Sequence, residues 1–228
     1  VWMPYRTYLA WKESARFFSS VSAASFRGAT WRTSSDAKSL VGMRVTPEFF
    51  TTLGVPPLRG RQLTGADAQG PPAVVLSHGF WQRELGGSES LVGRTITRSD
   101  VAYTVVGIMP ADFEVRLLDR PDGAAFWMLF RPGDPGYDPG GMGPVTILGR
   151  LADGVTIEAA RREAAAIMRQ SERGHPLNFN QPDPAGNQLV VNLSTLQGDN
   201  TRTVRATLLT VLGAAVCLLL IASMNVGV

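Results

Sequence analysis

The 228 residues carry 22 basic and 19 acidic side chains, a formal net charge of +3 and a mean hydropathy near zero (+0.03). Lys and Arg are scattered, and the clusters Arg161/Arg162 and Arg202/Arg205 are too short for the basic stripe that nucleic-acid binding requires. The only cysteine, Cys217, lies in an uncharged apolar run, which excludes disulfide, cysteine-metal and cysteine-nucleophile chemistry from the polar part.

Residues 5–21 place Tyr5, Leu9, Phe17 and Val21 at helical spacing with Arg6, Lys12, Glu13 and Arg16 between them, which predicts an amphipathic helix. Residues 23–27 and 39–45 read as short strands around a polar turn at 33–38. Pro47 suits a first helical turn and Glu48 follows it, so a short helix is expected there, closed by Gly54. A Gly/Pro-rich connection over 56–72 leads to a buried-looking strand at Ala73–Leu76. Ser77 then caps a helix that stops at Gly86-Gly87. Residues 94–98 and 101–108 pair as a hairpin across Ser99-Asp100.

Residues 131–144 hold nine Gly or Pro in fourteen positions and are expected to be a loop. A strand at 145–151, an Asp153-Gly154 turn and a Thr156-capped helix to about Arg173 follow. Ile157, Ala160, Ala164, Ile167 and Met168 mark the apolar face of that helix. A Pro/Gly/Asn-rich loop over 174–187 precedes a last strand at 188–193.

Residues 206–228 contain no charged side chain and, as a helix rising about 1.5 Å per residue, span about 34 Å. That exceeds the roughly 30 Å hydrocarbon core, whereas buried helices of soluble domains usually keep apolar runs nearer 10–14 residues. One membrane helix is therefore expected at 204–228, after a polar domain at 1–203. Within it, Thr207, Thr210, Gly213, Ala214, Ser223 and Asn225 suit packing against further helices, Asn225 by a cross-helix hydrogen bond. The N-terminus lacks a signal-peptide pattern. With no initiator Met and an end inside an apolar run, the chain reads as a segment of a longer protein.

The most enzyme-like string, Val74-Val75-Leu76-Ser77-His78-Gly79-Phe80, is similar to the His-Gly turn that forms an oxyanion hole in α/β-hydrolases. No G-x-S-x-G elbow accompanies it, and the other histidine, His175, lies in a Gly/Pro loop. A strand, a serine cap and a helix explain the same string. Two histidines without ligand spacing offer no zinc template, and Asp119, Asp122, Asp134 and Asp138 do not match a calcium loop. No P-loop occurs. The pairs Phe17/Phe18, Phe49/Phe50, Phe80/Trp81 and Phe126/Trp127 are assigned to the core by default, although adjacent side chains face different ways and one of each pair is a candidate for exposure.

Together the strings Val45-Thr46-Pro47-Glu48-Phe49-Phe50-Thr51-Thr52-Leu53-Gly54-Val55, Arg59-Gly60-Arg61, Val74-Val75-Leu76-Ser77-His78-Gly79-Phe80-Trp81, Leu91-Val92-Gly93-Arg94 and Tyr103-Thr104-Val105-Val106-Gly107-Ile108-Met109-Pro110 resemble the MacB-like periplasmic core domain of FtsX/MacB-superfamily ABC transporter permeases. The run Leu218-Leu219-Leu220-Ile221-Ala222-Ser223-Met224-Asn225-Val226 looks like the start of that family's second membrane helix. The likeness is strongest to permease-like proteins of soil bacteria.

The resemblance implies an α+β fold: a porter-like split βαβ domain with an inserted strand-rich subdomain at roughly 43–109, followed by the membrane helix. It implies a non-catalytic domain on the periplasmic side of the bacterial inner membrane, with no cofactor. Its partners would be a P-loop ATPase subunit, membrane lipid, a second permease in a homodimer, and a periplasmic adaptor or cargo. Export or mechanotransmission is the implied function. The basic flank Arg202/Arg205 favours the cytoplasmic side, but long domains cross largely regardless of charge. Pro47, Gly54, Gly60, Gly93 and Gly107 are the structural or coupling candidates, with Asn225 for helix packing. A membrane-tethered sensory or ligand-binding domain is the alternative, marked by a pocket of convergent polar groups. A membrane-anchored esterase built on Ser77 and His78 is a third.

Overall fold

The structure, a computed structural model, describes residues 3–32, 37–98, 101–113, 123–131 and 144–172. All of these belong to the first of two units, Val1–Val191, the second being Asn192–Val228.

The elements are β1 (Met3–Pro4), α1 (Tyr5–Ser14), β2 (Phe18–Arg32), β3 (Ala37–Val45), α2 (Phe49–Leu53), β4 (Arg59–Gly60), α3 (Gly65–Gln69), β5 (Ala73–Leu76), α4 (His78–Leu85), β6 (Thr95–Arg98), β7 (Val101–Ile108), β8 (Phe126–Leu129), β9 (Pro144–Leu151) and α5 (Ile157–Glu172). Among the described residues nine strands form one mixed sheet in the order β1-β9-β2-β3-β8-β5-β7-β4, with β6 also on β7. β2 and β3 form a long antiparallel hairpin from Ala24↔Val45 to Arg32↔Ala37. β3 runs parallel to β8 and β5 parallel to β7, while β5 and β8 are antiparallel. The fold is therefore α+β with a mixed sheet.

Alternation along the central strands feeds a core on each face of the sheet. On one face Met43, Val45, Val75, Trp127 and Leu129 meet Phe49 and Phe50 of α2, with Leu63 and Met109 closing the cluster. On the other, Val74, Leu76, Val105, Phe126 and Met128 meet Phe80 of α4. At the β1–β9–β2 end, α1 packs on β2 and on α5. α5 contributes the buried stripe Ala160, Ala164 and Met168, four residues apart along one face.

Several sequence expectations change. The helix expected over 5–21 ends at Ser14, and Phe18 already opens β2. Phe17 and Val21 fit helical spacing, but β9 pairs residues 18–24, and β3 carries the same strand onward by pairing residues 24–32. The strands expected at 23–27 and 39–45 are correspondingly longer. The 56–72 connection contains β4 and α3, and β8 was missed in the sequence. The strand at Ala73–Leu76 agrees, and the hairpin expected over 94–98 and 101–108 forms over Thr95–Arg98 and Val101–Ile108.

The aromatic pairs also resolve. Phe49/Phe50, Phe80/Trp81 and Phe126/Trp127 are buried at both positions, while Phe18 is half-buried beside buried Phe17. Opposite faces do not imply exposure when the sheet is covered on both sides. Among the described residues no helix is long and apolar enough to cross a membrane. The segment 204–228 with Asn225 and Cys217, the strand at 188–193, His175, and Asp119, Asp122, Asp134 and Asp138 lie outside the described residues.

Candidate functional site

The Thr-Pro-Glu-Phe-Phe segment is a junction between four elements. Buried Thr46 brackets β2, its N–H donating to Ala23 O (2.9 Å) and its Oγ1 accepting from Ala23 N–H (3.0 Å). Pro47 then turns the chain into α2, and Glu48 accepts from Tyr8 Oη (3.1 Å) and Lys12 Nζ (2.7 Å) of α1. Burial alone would raise the Glu48 carboxyl, but Lys12, a backbone hydrogen bond and Tyr8 outweigh it and hold the group below its ordinary value. Gly54 closes α2 in the left-handed region (φ 73°), its N–H donating to Phe50 O at 2.8 Å. Arg150 of β9 donates to Thr52 O (3.1 Å), and the Thr52 hydroxyl lies 2.7 Å from Ser20 Oγ of β2. α1, β2, α2 and β9 are thus tied together by polar contacts around Glu48 and Thr52.

Gly60 and Gly107 face each other across the β4–β7 pair. A side chain on Gly60, which sits at φ 74°, would strike the Val106 carbonyl, and one on Gly107 would strike the Arg61 carbonyl. The two backbones approach closely only because neither residue has a Cβ. Gly93, also at positive φ, faces open space.

Immediately after β4, Arg61 grips Asp67 of α3 with two guanidinium N–H groups, each at 2.7 Å. Asp67 also accepts from the Thr64 N–H (2.8 Å) and Thr64 Oγ1 (3.0 Å). The Arg61 guanidinium, with help from Thr64, holds the Asp67 carboxyl down at about 2 against the opposing effect of burial. Arg59 pairs with Glu89 on the surface beside β4.

A cleft of about 300 Å³ opens next to α3, lined among the described residues by Arg44, Asp67, Pro72, Ala73, Val101, Tyr103, Met128, Leu129 and Arg131. Arg131 is held in place by donating from Nη2 to Gly70 O at 2.8 Å. Neither arginine stood out in the sequence. The apolar run Ala124 to Phe130 was the available signal, since it places β8 and hence Arg131 beside β3.

The hydrolase-like string has local structural roles. Ser77 Oγ accepts from the Phe80 N–H (3.2 Å) as a helix cap, and the His78 ring packs edge-on against Trp81 with centroids 5.4 Å apart. Among the described residues no group of three or more His, Cys, Asp or Glu side chains is placed to hold a metal ion.

Residues 2–167 match the model of the MacB-like periplasmic core domain, and the chain belongs to that family. Three of the solved structures that share the fold cover most of this chain. They are the periplasmic region of MacB from Actinobacillus actinomycetemcomitans (TM-score 0.56, 13% identity, covering 74% of this chain and 73% of that one), the extracellular domain of the noncanonic ABC-type transporter YknZ from Gram-positive bacteria (0.57, 14%, 76% and 84%), and a domain of a permease protein from Porphyromonas gingivalis (0.53, 15%, 85% and 84%). No curated protein matches in sequence.

Proposed function

We propose that residues 1–203 are the extracytoplasmic domain of an ABC transporter permease in a bacterial inner membrane, and that 204–228 is a membrane helix attached to it. The observation that carries this reading is the family match over residues 2–167. The uncharged run at 206–228 supports the attachment. The domain is non-catalytic and passes movement between a partner P-loop ATPase and the periplasmic side, for export or mechanotransmission. A permease homodimer is the working assembly, with an adaptor or cargo as the periplasmic contact.

The porter-like split βαβ part corresponds in this reading to α1, α5 and the β1–β9–β2 end, and residues 43–109 are the insert. The mutual packing of α1 with α5 and β2 supports that division. Movement of α1 reaches the sheet through Lys12 and Tyr8 on Glu48, then through α2 to Arg150. Pro47 and Gly54 set the geometry of that route, Gly60, Gly93 and Gly107 that of the insert, and Asn225 packs the membrane helix against a neighbour.

The test is thiol labelling of the full-length parent protein carrying Val101→Cys, a position 41% exposed. A membrane-impermeant maleimide is expected to label it in intact spheroplasts, and an ATPase is expected to co-purify from detergent. Labelling only after lysis would refute the placement, and purification without an ATPase would refute the coupling.

A further inference from the structure

We propose that the outer edge of β6 is a docking site for an extended, acidic segment of a separate protein, which adds itself to the sheet as a further strand. This role goes beyond the permease reading and does not depend on it. β6 pairs with β7 on one side only, and among the described residues no strand lies on its other side. The hydrogen bonds show which backbone groups that edge presents. Gly93 N–H donates to Val105 O (2.8 Å) and Val105 N–H donates to Arg94 O (2.9 Å), a bulge that sets two residues of one strand against one of the other. Thr104, opposite Thr95, turns its N–H to Pro72 O (2.8 Å) on the far side of β7. Inward bonding therefore falls on Arg94, Ile96 and Arg98, and Thr95 and Thr97 turn their N–H and C=O outward. Both threonines are exposed, so a short run of unpaired donors and acceptors lies open to an incoming backbone.

Charge and register select the occupant. A second copy would place its own β6 antiparallel, with Thr95 opposite Thr97 in both directions. That register sets Arg94 of each chain opposite Arg98 of the other, and like charges directly opposite are unfavourable. The edge thus rejects its own kind. Arg59 and Arg61, which come next along the same side of β7, are answered by Glu89 and Asp67. Arg94 is exposed and its guanidinium has no partner among the described residues. It therefore favours a carboxylate on the incoming strand, which its planar fork of N–H donors can meet in two-point contact. Alternation puts Arg94 and Ile96 on one face, where half-buried Ile96 packs with Leu85, Leu91 and Tyr103 against the core. An apolar side chain opposite Ile96 would extend that cluster. The occupant is then an extended segment with an apolar residue and, two positions away, an acidic one.

The experiment is fluorescence anisotropy of the full chain in non-ionic detergent with a labelled short peptide of alternating Thr and Val in which one Val is replaced by Glu. Two comparators carry Lys in place of the Glu, or N-methyl groups on alternate amides so that the backbone cannot pair. The Glu peptide is expected to bind at least about tenfold more tightly than either. Its binding should also slow amide hydrogen exchange over residues 94–98. Thr97→Pro removes an outward N–H without touching the β7 ladder, a change that edge strands tolerate, and should weaken the Glu peptide by about tenfold or more. Arg94→Glu, at an exposed position, should reverse the preference in favour of the Lys peptide, and it decides the matter if Thr97→Pro does not fold. Equal binding of the N-methylated peptide would overturn the proposal, because backbone pairing would then have no part. Wild-type affinity in folded Thr97→Pro, an unchanged preference in Arg94→Glu, or no binding of the Glu peptide would each overturn it as well. A dimer of the chain that Thr97→Pro splits in sedimentation would put a second copy on this edge and also overturn it.

Discussion

Replacing Asp67 by Asn keeps the shape of the side chain and removes its charge. The carboxylate accepts two hydrogen bonds from Arg61 and two from Thr64, and only 11% of its side-chain surface is exposed. Its pKa falls from 3.8 in the unfolded chain to about 2, a difference that at about 1.36 kcal/mol per pH unit sets a ceiling near 2.4 kcal/mol. Arg61 is 52% exposed, so water and salt screen the pair, and we expect Asp67→Asn to cost about 1 kcal/mol at pH 7. A depressed carboxyl pKa stabilises the fold above the unfolded value and loses that effect as pH falls through the folded value. The gap between the wild type and Asp67→Asn should therefore be full above about pH 5 and close between pH 4 and about 2. Urea unfolding followed by tryptophan fluorescence at pH 7, 4 and 2.5 measures it. An equal gap at pH 7 and 2.5 would refute the electrostatic account and leave only a shape effect.

Trp127 is 1% exposed and meets Phe50 and Phe113 edge-on, so Trp127→Ala should cost about 3–5 kcal/mol in the same assay. Its indole N–H has no hydrogen-bond partner among the described residues, and Trp127→Phe should therefore cost well under half of that. Gly60→Ala combines positive φ with a collision against Val106 O and should cost about 2 kcal/mol or more, whereas Gly93→Ala, facing open space, should cost about 1. Thermal melts of the two variants run side by side give that order, and a reversal would refute the close-approach argument. Glu48→Gln should cost about 0.5–1 kcal/mol at pH 7, because Lys12 is half exposed, with the deficit fading as pH falls below the ordinary carboxyl range. In the parent permease the same change should lower transport more than ATP hydrolysis, if the α1–α2 contact carries the movement. Ser77→Ala should cost about 1 kcal/mol as a lost helix cap. Ester hydrolysis by the wild type that vanishes in this variant would instead restore the hydrolase alternative.

Local chemistry was readable without tertiary information. Ser77, Gly54, Gly86 and Thr156 each act within a few residues of their position, so the α2, α4 and α5 boundaries they mark were legible. So was the β6–β7 hairpin, whose partners are neighbours in the chain. The family was legible too, because its strings are short and spread over the matched residues. The 5–21 segment was not, since helical spacing and strand pairing compete there and its strand partner β9 lies more than 120 residues away in the chain. Buried Phe126/Trp127 was ambiguous for the same reason: only coverage of both sheet faces decides that neighbouring side chains are both inside. The cleft lay furthest from reach. Arg44 and Arg131 are ordinary in their local sequence, and it is the parallel pairing of β3 with β8 that brings them to one cavity. The sequence by itself determined composition, caps, turns and kinship, all of which depend on nearby residues. The tertiary structure alone decided which distant side chains share a space, because long-range strand pairing is selected by the burial of the whole sheet.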